Sequence, residues 1–190
     1  MKKIVAMILC LALAIGCCAA VAETAEKESI GKVNVNGDFE IKCAIPEGYK
    51  VSITDASDDK IIASILSEDE NKPRVTLSVA FNDIYTQDGV AMKLNDVSEE
   101  DLALIKESFE DEADAVEFRD GETALGTKVL IVTGELSEKK FADVYSIYNS
   151  YEIEAVVTSG RGENPEPLTD EQINMIIDFF TNMDFVEIAK

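Results

Sequence analysis

The stretch VYSIYNSYEIEAVV, Val144–Val157, decides the fold. β-Branched and aromatic residues crowd both of its halves, and Asn149-Ser150 separates them with two turn formers. It reads as a hairpin, with one strand over Phe141–Tyr148 and the next over Tyr151–Thr158. Upstream, Val116–Arg119 and Leu125–Thr133 have the same character, with turns expected at Asp120-Gly121 and between Gly134 and Lys140. Tyr145, Tyr148 and Tyr151 then line a sheet face or its edge.

On either side of these strands the period changes to that of a helix. Ser98-Glu-Glu-Asp101 is a capping-box-like start with acids at the positive end of the helix dipole, and Leu102, Ile105 and Phe109 follow at helical spacing. Glu110–Asp114 ends that helix in charge. After the hairpin, Ser159–Pro167 is a loop with two prolines. Thr169-Asp-Glu-Gln172 is a capping box, and Ile173, Ile176, Ile177, Phe180 and Met183 form one apolar stripe.

The first half alternates with period two. Val75, Leu77, Val79 and Phe81 mark a strand over Arg74–Phe81, Ile61–Ser67 suits a central strand, and Tyr49, Val51 and Ile53 mark another. Polar segments at Asp55–Lys60 and Glu68–Pro73 separate them, and Pro46-Glu-Gly48 predicts a turn with Pro at its second position. Val33–Ile41 is a hairpin signalled by Asn36-Gly37. A two-residue loop there would put Val33 and Phe39 on opposite faces. A three-residue loop, Val35–Gly37 with Gly37 left-handed, pairs Val33 with Phe39 and keeps one apolar face. Phe39, Ile41, Cys43 and Ile45 then point inward, and Cys43 is a small core hydrophobe.

The order is about four strands, a helix, about four strands and a C-terminal helix. Short links make the sheet mainly antiparallel. The expectation is an α+β fold: six to eight strands in a mainly antiparallel sheet, two principal helices packed on it, and one domain over 33–190.

This arrangement resembles the PsbP-like superfamily: the PsbP-type extrinsic photosystem proteins, a Ran-binding nuclear import factor and exported bacterial lipoproteins. The resemblance rests on FEIKCAIPEGY (Phe39–Tyr49), SEEDLALIKESF (Ser98–Phe109), LGTKVLIV (Leu125–Val132), the Val144–Val157 hairpin and LTDEQINMIIDFFTNMDF (Leu168–Phe185). It implies an α/β/α sandwich and action by binding other proteins. It carries no site residue, because its members share packing and not chemistry.

The N-terminus gives location. Lys2 and Lys3 precede an uncharged apolar run, Ile4–Ile15, the length of a signal-peptide core and too short to span a bilayer. Ala20-Val21-Ala22 is an A-x-A site, and cleavage after Ala22 is favoured over lipidation at Cys17, where Ala14-Ile15-Gly16-Cys17 resembles a lipobox. Residues 1–22 are therefore read as a signal peptide and 23–32 as a disordered N-terminal segment or a tether. The protein is expected outside the cytoplasm, at the cell surface, in the periplasm or free, with no membrane span in its mature form. Of Cys10, Cys17, Cys18 and Cys43, only Cys43 survives that cleavage, so no internal disulfide holds the fold.

Charge and composition exclude several classes. The net charge is −21, and loss of Lys2 and Lys3 takes it to −23. Such a surface repels nucleic acid and anionic lipid and attracts cations or basic partners. The chain has no His and no Trp. Ser-His and Cys-His nucleophiles and Cys/His zinc sites are out, and no phosphate loop or nucleophile elbow is present. No catalytic or cofactor-binding residue is assigned.

Acidic chemistry survives. Asp55, Asp58 and Asp59 offer oxygen donors for calcium, but Lys60 stands where an EF-hand needs Gly and Leu66 where it needs a bidentate Glu. A loop made soluble by charge is the simpler reading. Arg161, in the exposed SGRGENPEP loop, either balances nearby acids or anchors a partner. The leading expectation is a non-catalytic binding or accessory protein acting on another envelope or extracellular protein. The alternatives are a carboxylate-based hydrolase and a structural protein with weak calcium dependence. Two facing, perturbed acids in a cleft would favour the hydrolase, and an exposed apolar patch the binding protein.

Overall fold

A computed structural model describes residues 27–35, 39–123, 126–136 and 139–188. The signal segment, both cleavage sites, Cys17 and the Asn36-Gly37 turn with Gly37 lie outside the described residues. Among the described residues, twelve strands and two α-helices follow in order. They are β1 (Lys27–Val33), β2 (Phe39–Ala44), β3 (Tyr49–Ala56), β4 (Lys60–Ser67), β5 (Arg74–Phe81), β6 (Thr86–Gln87), β7 (Val90–Ala91) and α1 (Glu99–Glu112), then β8 (Ala115–Glu122), β9 (Lys128–Leu136), β10 (Lys139–Tyr148), β11 (Tyr151–Thr158), α2 (Asp170–Thr181) and β12 (Asp184–Glu187).

Seven strands form the main sheet in the order β3-β4-β5-β11-β10-β9-β8, every neighbouring pair antiparallel. The α+β class and the antiparallel sheet are as expected. The hairpin read from Val144–Val157 sits inside this sheet, with Tyr148 paired to Tyr151 across Asn149 and Ser150. Both turn residues take positive φ, 53° and 63°, as a two-residue turn matched to strand twist requires.

Alternation splits the main sheet into two unlike faces. One face carries Ile61, Ile65, Val75, Leu77, Val79, Val129, Val144, Ile153 and Val157, all buried. It is covered by α2 and by a second sheet of order β1-β2-β12. The α2 stripe of Ile173, Ile176, Ile177 and Phe180, with Met183 just beyond it, is buried as its period predicted, behind the reciprocal Thr169–Gln172 cap. The other face buries Leu130, Val132, Tyr145 and Ile147 under Leu94 and under Leu102, Ile105 and Phe109 of α1. That helix packs on the β8–β10 side, so the outward residues of β4, β5 and β11 lie beside it.

Several boundaries differ from the sequence reading, each for a local reason. Val33 does pair with Phe39, but the first sheet begins at Lys27, so residues 27–32 are strand rather than a disordered segment or tether. Ile30 is fully buried there. At Gly31, with φ 147°, a Cβ would meet Ile61 Cδ1 at 2.7 Å, so the glycine permits a close approach and does not mark a loop. The turn after Ile45 runs from the Pro46 carbonyl to the Tyr49 N–H, which puts Pro46 first and Gly48, φ 80°, third. Asp120 and Gly121 pair with Leu130 and Val129 inside the β8–β9 ladder, which runs on to Glu122 opposite Lys128, and Thr123 N donates to the Thr127 carbonyl just beyond it. Lys60 opens β4 and Ala56 closes β3, which shortens the expected Asp55–Lys60 loop to three residues. The tyrosines divide between the faces. Tyr148 and Tyr151 stack with Phe39, Phe81 and Phe185 on the covered side, while Tyr145 lies on the opposite side.

Candidate functional site

A groove of about 440 Å³ runs between α1 and the outward residues of β5 and β11. One wall is apolar, with Leu104, Ile105 and Phe109 from α1. The other is acidic, with Glu152 and Glu154 from β11, and Glu112 at the end of α1 joins it. Leu104 is 60% exposed. Helical spacing puts the apolar side chains on one side of α1, and alternation brings Glu152 and Glu154 to the same sheet face.

Glu152 is tightly held. It accepts from Tyr145 Oη at 2.6 Å, from Asn82 Nδ2 at 3.3 Å and from Tyr85 Oη at 3.4 Å, and the two tyrosine hydroxyls lie 2.9 Å apart. Tyr85 is fixed in turn by the short helix Asp83–Tyr85, capped by Asn82, and its carbonyl accepts from Ser150 Oγ at 2.7 Å. Burial, first, and the shared carboxylate push the Tyr145 phenol above its ordinary range; burial does the same to Tyr85. Both phenols stay neutral donors, and the Glu152 carboxylate is the acceptor they serve.

Asp143 lies on the same sheet face at the inner end of this cluster. It is 4% exposed and lies beside the Glu154 carboxyl, and its Oδ1 has no hydrogen-bond partner among the described residues. Burial, then the hydrogen bond and charge of Glu154, then the charge of Glu112, push its carboxyl up to about 9. Asp143 therefore keeps its proton at neutral pH. Among the described residues no salt bridge involves Glu112, Glu152 or Glu154.

The calcium candidates are not brought together in this way. Asp55 lies in β3 with Lys60 Nζ at 4.0 Å, Asp58 accepts from Asn34 Nδ2 at 3.2 Å, and Asp59 accepts from Ser57 Oγ at 2.7 Å. Among the described residues no group of three or more His, Cys, Asp or Glu is placed to hold a metal. Cys43 is buried and unpaired, and burial raises its thiol far above the usual range, which suits a core hydrophobe.

Arg161 does gain a cationic neighbour. It stands beside Arg74, the first residue of β5, and both line a separate cavity with Lys50 and Lys72. The sequence reading missed Arg74 and Asp143. Asp143 had a signal, a lone acid inside the buried run Ala142–Ile147. Arg74 had none, since a cation at a strand start is ordinary.

No helix among the described residues is long and apolar enough to cross a membrane. Comparisons with family models, curated proteins and solved structures gave no match for this chain.

Proposed function

We propose that this is an exported, non-catalytic binding protein of the cell envelope, whose acidic groove takes a basic segment of another protein. The observation that carries this is the groove itself. Leu104 and Phe109 offer apolar contact on one wall, and Glu112 and Glu154, without cationic partners among the described residues, offer charge on the other. A segment alternating apolar and basic side chains satisfies both walls, and the overall charge of −21 steers it inward. The PsbP-type resemblance and the leader-like N-terminus agree with this reading.

The hydrolase reading draws on the facing acids Asp143 and Glu154. The closeness of these two carboxyls works against it: glycoside cleavage leaves about 5 to 9.5 Å between its pair, with a sugar or water between. Asp143 is also almost fully buried, away from any substrate.

The test is crosslinking in the producing cell, followed by capture of the protein and of what comes with it. One reproducible partner with a basic segment is expected, and it should be lost from a Leu104→Asp, Glu154→Gln double variant and at high salt. An identical set of captured proteins from wild type and variant would overturn the groove as the binding surface.

A further inference from the structure

The chain has three arginines, and the fold brings two of them together in a strongly acidic protein. Arg74 starts β5 and pairs with Thr158, the last residue of β11. The loop that follows then doubles back over the turn at 68–73. Arg161 N and Gly162 N both donate to the Glu70 carbonyl at 2.9 Å, Glu166 N donates to the Asn71 carbonyl at 2.7 Å, and Asn164 N donates to Asn71 Oδ1 at 3.0 Å.

The glycines flanking Arg161 make this contact possible. A Cβ at Gly160 would collide with the Glu70 and Asn71 carbonyls, and one at Gly162 with the Asn71 side chain. Arg161 is therefore mounted on a backbone rack beside Arg74, although its own side chain is exposed. Partial burial, and then the charge of Arg161 across the shared cavity, lower the Arg74 pKa. Among the described residues no salt bridge neutralises either one. Two like charges held together repel, and an anion between them removes the repulsion.

The cavity measures about 420 Å³, within the range of small-molecule sites. Lys50 and Lys72 also line it. Its other lining is acidic: Glu68, Asp69 and Glu70. The Asp69 carboxylate is spent on Asn71 N and Nδ2, at 3.0 and 3.1 Å, while Glu68 and Glu70 enter no salt bridge among the described residues.

We infer that the cavity between Arg74, Arg161 and the 68–70 turn binds a small carboxylate that also carries hydrogen-bond donors, as sugar acids and amino acids do. The planar carboxylate meets the guanidinium forks, and hydroxyl or ammonium groups of the ligand meet Glu68 and Glu70. This site lies apart from the acidic groove and does not depend on its role.

The experiment is an NMR titration of the purified protein, following the arginine Nε–H signals at constant ionic strength. The probes are glucuronate, glycine, propionate and sulfate. Saturable shifts of Arg74 and Arg161 with glucuronate or glycine are expected, with propionate weaker, and the better of the first two identifies the ligand class. Arg161→Gln and Arg74→Gln should each weaken binding about tenfold or more, while Arg119→Gln leaves it unchanged. Arg161 is exposed, so its variant keeps the fold and its melting temperature serves as the control. Saturation by sulfate alone, propionate binding as tightly as glucuronate, equal shifts with all four probes, no saturation, or an Arg161→Gln variant that binds like wild type would each overturn the assignment.

Discussion

The two faces of the seven-stranded sheet have the same strands and opposite chemistry. The covered face is apolar along β4, β5 and β11, closed by α2 and the small sheet. The other face of the same strands carries Ser64, Thr76, Ser78, Glu152 and Glu154, with Arg74 at one end of β5 and the acidic groove toward the other. Along β5, Arg74 and Ser78, the partner of Glu154, are four residues apart, which is about 13 Å of strand. Along these three strands one face is core. The other, beside the smaller core under α1, sets positive and negative charge a short distance apart.

The largest expected effect tests the covered face. Phe180 is 1% exposed within the main core, and Phe180→Ala should cost about 3–5 kcal/mol by urea denaturation. Thr76→Ala, on the opposite side of β5, should cost under about 0.5 kcal/mol. Similar losses at both positions would abolish the distinction between the faces.

The second test is the pH dependence of stability. The folded Asp143 carboxyl titrates far above its unfolded value of 3.8, so between about pH 4 and 9 the native state keeps a proton that the unfolded chain gives up. This contribution is fully present below pH 4 and is lost as pH rises toward 9, by at most about 1.4 kcal/mol per pH unit. Asp143→Asn keeps the shape without the proton. Its melting temperature should pull ahead of wild type as pH climbs from 5 to 8.5. Parallel melting curves across that range would show that Asp143 does not hold its proton.

A third, smaller effect concerns the hydroxyls that serve Glu152. Tyr145→Phe removes the 2.6 Å bond and should cost about 1–3 kcal/mol in chemical denaturation, more than the ring's unchanged apolar packing would suggest. A neutral result would mean that water replaces the phenol. The smallest effect is expected at the outer loop: millimolar calcium should leave the melting temperature unchanged, because Asp55, Asp58 and Asp59 already have separate protein partners. A rise of several degrees would restore the calcium reading.

Much of the fold was legible because its signals are local. The Asn149-Ser150 turn, the Thr169–Gln172 cap and the alternation of Val75, Leu77 and Val79 each depend on residues a few positions apart. What escaped depends on distant partners. β12 is four residues long, too short for a visible period, and pairs with β2 across more than a hundred residues. β1 reads as polar because only Ile30 and Val33 face inward, and Gly31 looks like a break until Ile61 is seen against it. The site was less legible than the fold for the same reason. Glu112, Asp143 and Glu154 come from three elements, and their carboxyls interact only because the fold brings them together.

The three-stranded sheet sets an order of assembly. β1 and β2 are made first, yet β2 has its second neighbour only when Asp184–Glu187 arrives, and Lys27 then meets Asp184 at 2.9 Å. A chain emerging N-terminus first from a ribosome would hold β2 as an open edge until Asp184–Glu187 is out. A product truncated before Asp184 would keep that edge and its apolar Phe39 and Ile41 uncovered on one side. Completion of the small sheet therefore couples two strands far apart in sequence, and β2 becomes an inner strand only when β12 docks.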